Sequence, residues 1–154
     1  MEMEHNHKDG ERCMGCEQGL EAMHRWQNEM IQKFGWYAHF VPLDNDFANF
    51  HTHGIFEKFL HPDFQITVPL DPKVAHRIFH RLVDLINDEG KRFNPGDVVE
   101  TIIQGFSVTF IKATENDRQV LRVILPDRHG NLSRESIEGM FALQYHEYNE
   151  AEWN

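Results

Sequence analysis

Residues 71–90 read DPKVAHRIFHRLVDLINDEG and residues 98–125 read VVETIIQGFSVTFIKATENDRQVLRVIL; together these stretches decide the fold class. In the first, Asp71 suits an N-cap, Pro72 the first helical position and Gly90 the position just past the end. Ala75, Ile78, Phe79, Leu82, Leu85 and Ile86 form one apolar stripe, while His76, Arg77, His80, Arg81 and Asp84 fall on the other side. In the second, Val98–Ile103 and Phe106–Lys112 flank Gln104-Gly105 as a hairpin, and Val120–Leu125 supplies a further strand that Pro126 stops. Strands joined by short turns pair antiparallel, and a helix with one apolar stripe covers such a sheet. The expected class is α+β, a mainly antiparallel sheet packed against two amphipathic helices.

The other helix lies toward the N-terminus. From Glu17 to Phe34 the apolar residues Leu20, Met23, Trp26, Met30, Ile31 and Phe34 recur at helical steps, and Gly35 closes the run. Of these, Trp26, Met30 and Phe34 read as core rather than as cofactor contacts. Trp36–Val41 then reads as a strand stopped by Pro42, Asp44-Asn45-Asp46 as a turn, and Phe50–Ile55 and Phe64–Val68 as strands. Asn94-Pro95-Gly96-Asp97 marks another turn, and residues 133–148 read as partly helical. Residues 1–12 form a polar tail, and no linker, repeat or low-complexity segment divides residues 13–154, so a single domain is expected there.

Composition narrows the function classes. Apolar residues make up 40% of the chain and charged ones 26%, which is ordinary globular usage and argues against wholesale disorder. The 15 Lys and Arg against 25 Asp and Glu leave a formal charge of -10, which repels phosphate backbones and anionic membranes. Arg77, Arg81, Lys91 and Arg92 alternate with Asp84, Asp88 and Glu89, a solvated face rather than a basic patch. No apolar run reaches the roughly 18 residues needed to span a bilayer, and the His-rich start of the chain lacks a secretory pattern. Both cysteines sit in Cys13-Met14-Gly15-Cys16, too close for a disulfide framework, so a cytoplasmic protein is expected.

The Cys13-x-x-Cys16 spacing lets two sulfurs converge on one point, for zinc or for thiol exchange, although two reduced cysteines in a tail fit it too. A zinc site would draw further ligands from His5, His7, His24, His51 and His53. In His51-Thr52-His53 the alternation of a strand puts both imidazoles on one side, either as metal ligands or as packed side chains of a polar face. His61 lies downstream, and Asp46, Glu57 and Asp63 are the nearest carboxylates. His76 and His80, one helical turn apart, are a further chelating pair. No phosphate-binding glycine loop, Gly-x-Ser-x-Gly elbow or His-Glu-x-x-His is present, so nothing identifies a nucleophile and enzyme status stays open.

The order Cys13…Cys16, Phe34-Gly35-Trp36, Thr52-x-Gly54-Ile55, His61-Pro62-Asp63-Phe64, a helix closed by Gly90, and Gly96 before Phe106–Phe110 resembles domain-of-unknown-function family 4262. The resemblance implies a bacterial source and a compact α+β fold, and it carries no reaction. Where that family has an aromatic–Thr–apolar–Gly–Leu segment this chain has His51-Thr52-His53-Gly54-Ile55, so the resemblance assigns those histidines no role. The leading expectation is a structural zinc on Cys13, Cys16, His51 and His53, closed by four protein ligands. The alternatives are a non-enzymatic accessory domain binding a protein or ligand through the aromatic end (Tyr145, Tyr148, Trp153), with a homo-oligomer as one form, and a metal-dependent hydrolase.

Overall fold

The computed structural model describes residues 14–147, with side chains from residue 19 onward. Cys13, the polar tail, Tyr148 and Trp153 lie outside the described residues. The chain divides into two compact units, Met1–Tyr37 and Ala38–Asn154. The first holds α1 (Met14–Phe34), which Gly35 ends in a left-handed conformation at φ 82°. Trp26 meets Tyr37 edge-on at 6.0 Å. The expectation that Trp26, Met30 and Phe34 are core is corrected: Trp26 and Phe34 are exposed and Met30 is half-buried. Periodicity fixes which residues share a face, and burial depends on what covers that face.

The second unit is built on one six-stranded sheet in the order β1-β2-β3-β6-β5-β4. Its strands are β1 (Tyr37–Pro42), β2 (Ala48–His53), β3 (Asp63–Ile66), β4 (Val98–Ile103), β5 (Phe106–Glu115) and β6 (Arg118–Ile124). Pairs β2–β3, β4–β5 and β5–β6 are antiparallel, as expected. The β3–β6 pair is parallel, with Phe64 beside Leu121 and Gln65 beside Arg122. It comes from the long crossover between those strands, which contains α3 (Pro72–Glu89) and the β4–β5 hairpin. Strand β5 runs further than expected because Asn116 and Asp117, at φ 47° and 63°, form a tight turn straight into β6.

Helix α3 has the expected ends. The Asp71 carboxylate accepts from Lys73 N at 2.8 Å, and Gly90, at φ 65°, donates to Ile86 O. Its apolar stripe, with Val83 added, is buried, and the helix packs against β4. Phe50, Phe64, Ile66, Phe110, Leu121 and Val123 share one buried sheet face by register. Phe93 joins Phe64 and Phe110 there, ring to ring at 6.2 and 5.3 Å.

The opposite face across the same three strands is also buried, yet polar: His51, Gln65 and Arg122 stand side by side in register. One element departs from expectation, and another meets it. Gly54, at φ 99°, ends β2 as expected, but the chain it turns forms a short helix, α2 (Ile55–Phe59), that the sequence reading did not foresee. The C-terminal stretch is a 3-10 helix, Gly139–Tyr145, whose Gln144 side chain brackets Leu125 by accepting from its N–H and donating to its carbonyl. Among the described residues no helix is long and apolar enough to cross a membrane.

Asp71→Ala removes the α3 cap and is expected to lower stability by about 1 kcal/mol. Urea unfolding measures it, and an unchanged midpoint would show that the cap contributes nothing.

Candidate metal centre

Strand β2 places His51 and His53 on one side, as its alternation requires. Strand β1, its neighbour in the sheet, adds His39. One ligand nitrogen from each of these three histidines lies within 4.8 Å of the other two. Their rings meet edge to face, with centroids 5.4 Å (His39–His51), 5.0 Å (His39–His53) and 4.9 Å (His51–His53) apart. The chain reverses at Asp44, whose carboxylate accepts from Asp46 N and Phe47 N. His39 and His51 each lie five residues from the nearer end of the Asp44-Asn45-Asp46 turn, which is the signal that could have paired them. Sequence reasoning missed His39 because it was read only as one residue of a strand.

His51 is oriented by a buried polar row. Its Nδ1 lies 3.3 Å from Asn49 O and 3.2 Å from Asn49 Oδ1. A backbone carbonyl can only accept, so Nδ1 carries the proton and Nε2 keeps its lone pair, as a metal-binding imidazole needs. Asn49 Oδ1 also accepts from Gln65 Nε2 at 3.0 Å, and Gln65 Oε1 accepts from Arg122 Nε at 2.8 Å. Arg122 is anchored in turn by donating to the carbonyls of Gln144 and His146.

A charged cluster lies on the other flank. Glu115, buried, has Oε1 3.9 Å from His51 Nε2 and accepts from Arg118 Nε at 2.9 Å. Arg118 also donates to Thr52 O at 2.6 Å and pairs with Asp63 Oδ2 at 3.4 Å. Asp63 Oδ1 accepts from Thr52 Oγ1 at 2.8 Å and Ile55 N at 3.1 Å, and Oδ2 from Phe56 N at 3.4 Å. Asp63 thereby serves as the anionic cap that Gly54 cannot provide for α2.

Burial dominates the titration of the triad. It lowers His51 to about 4, with Arg118 and His39 adding to the effect and Glu115 and the Asn49 carbonyl opposing it. It lowers His53 to about 3, helped by Arg118 and the other two imidazoles. His39 is lowered too, by burial first and Arg118 last, with Glu115 opposing. Burial pushes Asp63 upward against the pull of Thr52, Arg118 and the α2 N–H groups. Lowered below the ordinary histidine value, all three imidazoles are neutral at pH 7, so a cation would not have to displace the charge of a protonated ring.

Of the sequence-derived ligands, His51 and His53 converge. Cys13 is outside the described residues, and Cys16 falls in α1 where side chains are not described. His24 is on the exposed side of α1, within the other unit. His61 is a core histidine: Nε2 accepts from Phe93 N at 3.0 Å, Nδ1 donates to Pro62 O, and the ring packs on Phe64 and Phe93. His80 pairs with Asp84 on the exposed side of α3, its ring centroid 6.0 Å from that of His76. Asp46 and Glu57 are exposed. Tyr145, expected as part of an exposed docking end, is instead half-buried, donating to Leu132 O with Arg134 stacked 4.8 Å over its ring.

Residues 30–135 match the family described as domain of unknown function DUF4262. The chain belongs to this family. Its span takes in both strands that carry the three histidines, and Glu115 and Arg118 as well. No curated protein and no solved structure matches the chain.

The lowered imidazoles have a pH consequence. Unfolded histidines titrate near 6.5, so above that pH the folded and unfolded chains are equally deprotonated at the triad. Below it the unfolded chain takes up protons that folded His51 and His53 refuse down to about 4 and 3, so stability falls as pH falls. We expect the denaturant midpoint to drop between pH 7 and pH 5, and to drop less in a His51→Gln/His53→Gln double variant. Equal drops in the two proteins would contradict this assignment.

Proposed function

We propose that this domain binds one first-row divalent transition metal, zinc among them, on His39, His51 and His53. The observation that carries the proposal is the mutual approach of three imidazole nitrogens within 4.8 Å. Imidazole donors suit zinc, copper, nickel and iron, and disfavour magnesium and calcium, which take oxygen ligands. Neutrality and a tautomer imposed on His51 by Asn49 both lower the cost of binding. In this reading His51 and His53 keep the role expected from sequence and His39 is added. With three positions of a tetrahedral zinc filled, at most one thiolate of Cys13 or Cys16 finds room, so the cysteine pair is not required.

A structural role is favoured over the hydrolytic one. A hydrolase needs a carboxylate that can take a proton from metal-bound water. Asp63 is occupied by Thr52, Arg118 and the α2 N–H groups, Glu57 is exposed on α2, and the Glu115 oxygen nearest His51 is held by Arg118. Cysteine usage supports a cytoplasmic setting.

Calorimetric titration with zinc, followed by thermal melts, tests the proposal. Wild-type protein should take up one equivalent and, at zinc concentrations near 100 times Kd, gain about 2.7 kcal/mol. For a chain of this size that corresponds to a Tm rise of about 5–11 °C. His39→Ala and His51→Ala should abolish uptake, while Cys13→Ser/Cys16→Ser should retain it. Absence of stoichiometric zinc in the wild type, or its retention in both histidine variants, would remove the reading.

A further inference from the structure

We infer that a cavity lined by Lys112, Arg122 and Arg134 binds a small organic anion, a carboxylate or phosphate monoester carried on a compact apolar body. The cavity has a volume of about 350 Å³, within the range of small-molecule pockets. Ile111 stands opposite Arg122 in the β5–β6 register, and Ala113 follows two residues on, so all three line it from one side of that strand pair. The Tyr145 ring, from the 3-10 helix, lines it as well. None of these residues belongs to the three-histidine cluster, so the inference stands or falls apart from the metal reading.

Charge selects the ligand. Three cationic side chains line the cavity against one carboxylate, Glu147, in a chain whose formal charge is -10. A concave site with that balance concentrates anions. Arg122 is 2% exposed and is held by Gln65 Oε1 and by the carbonyls of Gln144 and His146, so its charge is fixed in place. The Arg134 guanidinium lies 4.8 Å over the Tyr145 ring, whose hydroxyl is anchored on Leu132 O. Stacking engages the guanidinium face and leaves its edge N–H groups to an anion. Among the described residues no carboxylate pairs with Arg134 or Lys112. Arginine forks fit carboxylate and phosphate oxygens alike, and Ile111, Ala113 and the Tyr145 ring suit a carbon body beside them. A nucleic-acid backbone would meet the acidic remainder of the surface, whereas a small anion meets only the cavity.

The full chain titrated at low salt with phenyl phosphate, benzoate and inorganic phosphate, followed by amide NMR, tests the assignment. One organic probe should saturate a single site, and which of the two binds tighter tells the head group. The shifted signals should cluster at residues 111–114 and at Tyr145. Arg134→Ala should weaken the preferred probe by about tenfold or more, while Arg77→Ala, on α3 outside the cavity, should stay within about twofold. Should Arg134→Ala fail to fold, the position of the wild-type shifts decides alone. Shifts centred on residues 72–77, where Lys73 and Arg77 line another cavity, would overturn the assignment. So would equal weakening in the two variants, or no saturation by either organic probe below about 10 mM. Inorganic phosphate binding as tightly as phenyl phosphate and benzoate would show a site for a bare ion and refute the organic ligand.

Discussion

The Asp63 carboxylate is almost fully buried and draws together parts of the chain that are distant in sequence. It accepts from the Thr52 hydroxyl at the end of β2 and from the first N–H groups of α2, and it pairs with Arg118 at the start of β6. The Thr52 hydroxyl in turn accepts from Phe64 N, which clamps β2 to β3 at 2.9 Å. A buried carboxylate is tolerated only when several donors compensate its lost hydration. Those donors can converge only when β2, α2, β3 and β6 are mutually positioned. The position of Arg118 fixes Glu115 across the tight Asn116-Asp117 turn, and the position of β2 fixes His51 and His53. The geometry of the histidine cluster thus descends from the compensation of a single charge.

The sheet divides its two faces between different jobs. One carries Phe50, Phe64, Ile66, Phe110, Leu121 and Val123 and supplies the apolar burial that favours the folded chain. The other carries the row His51, Gln65, Arg122, joined through Asn49 by hydrogen bonds of 2.8–3.2 Å. A half-satisfied row of this kind would be worse than an apolar one, while a satisfied row fixes side-chain orientation. Orientation is what three imidazoles need if their lone pairs are to meet at one point.

Much of this was legible in the residues, and the limits have physical causes. Helix α3 was readable end to end because Asp71, Pro72 and Gly90 act locally, on the N–H and carbonyl groups nearest to them. The parallel β3–β6 pair was not, since a strand's pattern is the same whichever neighbour it meets. Helix α2 was hidden because its N-terminal compensation comes from Asp63 on the following strand. At the site, His51 and His53 were visible through strand alternation, which operates within one segment. His39 required the pairing of two strands, and Glu115 and Arg118 required the short turn between β5 and β6 to be recognised. The exposed face of α1 shows the converse: its periodicity was read correctly, but periodicity names no partner surface.

The central claim is that His39, His51 and His53 stand neutral at pH 7, with His51 protonated on Nδ1, and that they are the ligands of the proposed metal. Long-range proton–nitrogen NMR of the histidine rings at pH 7, before and after one equivalent of zinc, tests it most directly. The account predicts three neutral rings, an Nδ1–H tautomer for His51, and a zinc-induced shift of one nitrogen in each of the three. A charged ring among them at pH 7, or three ring spectra that zinc leaves unmoved, would contradict it.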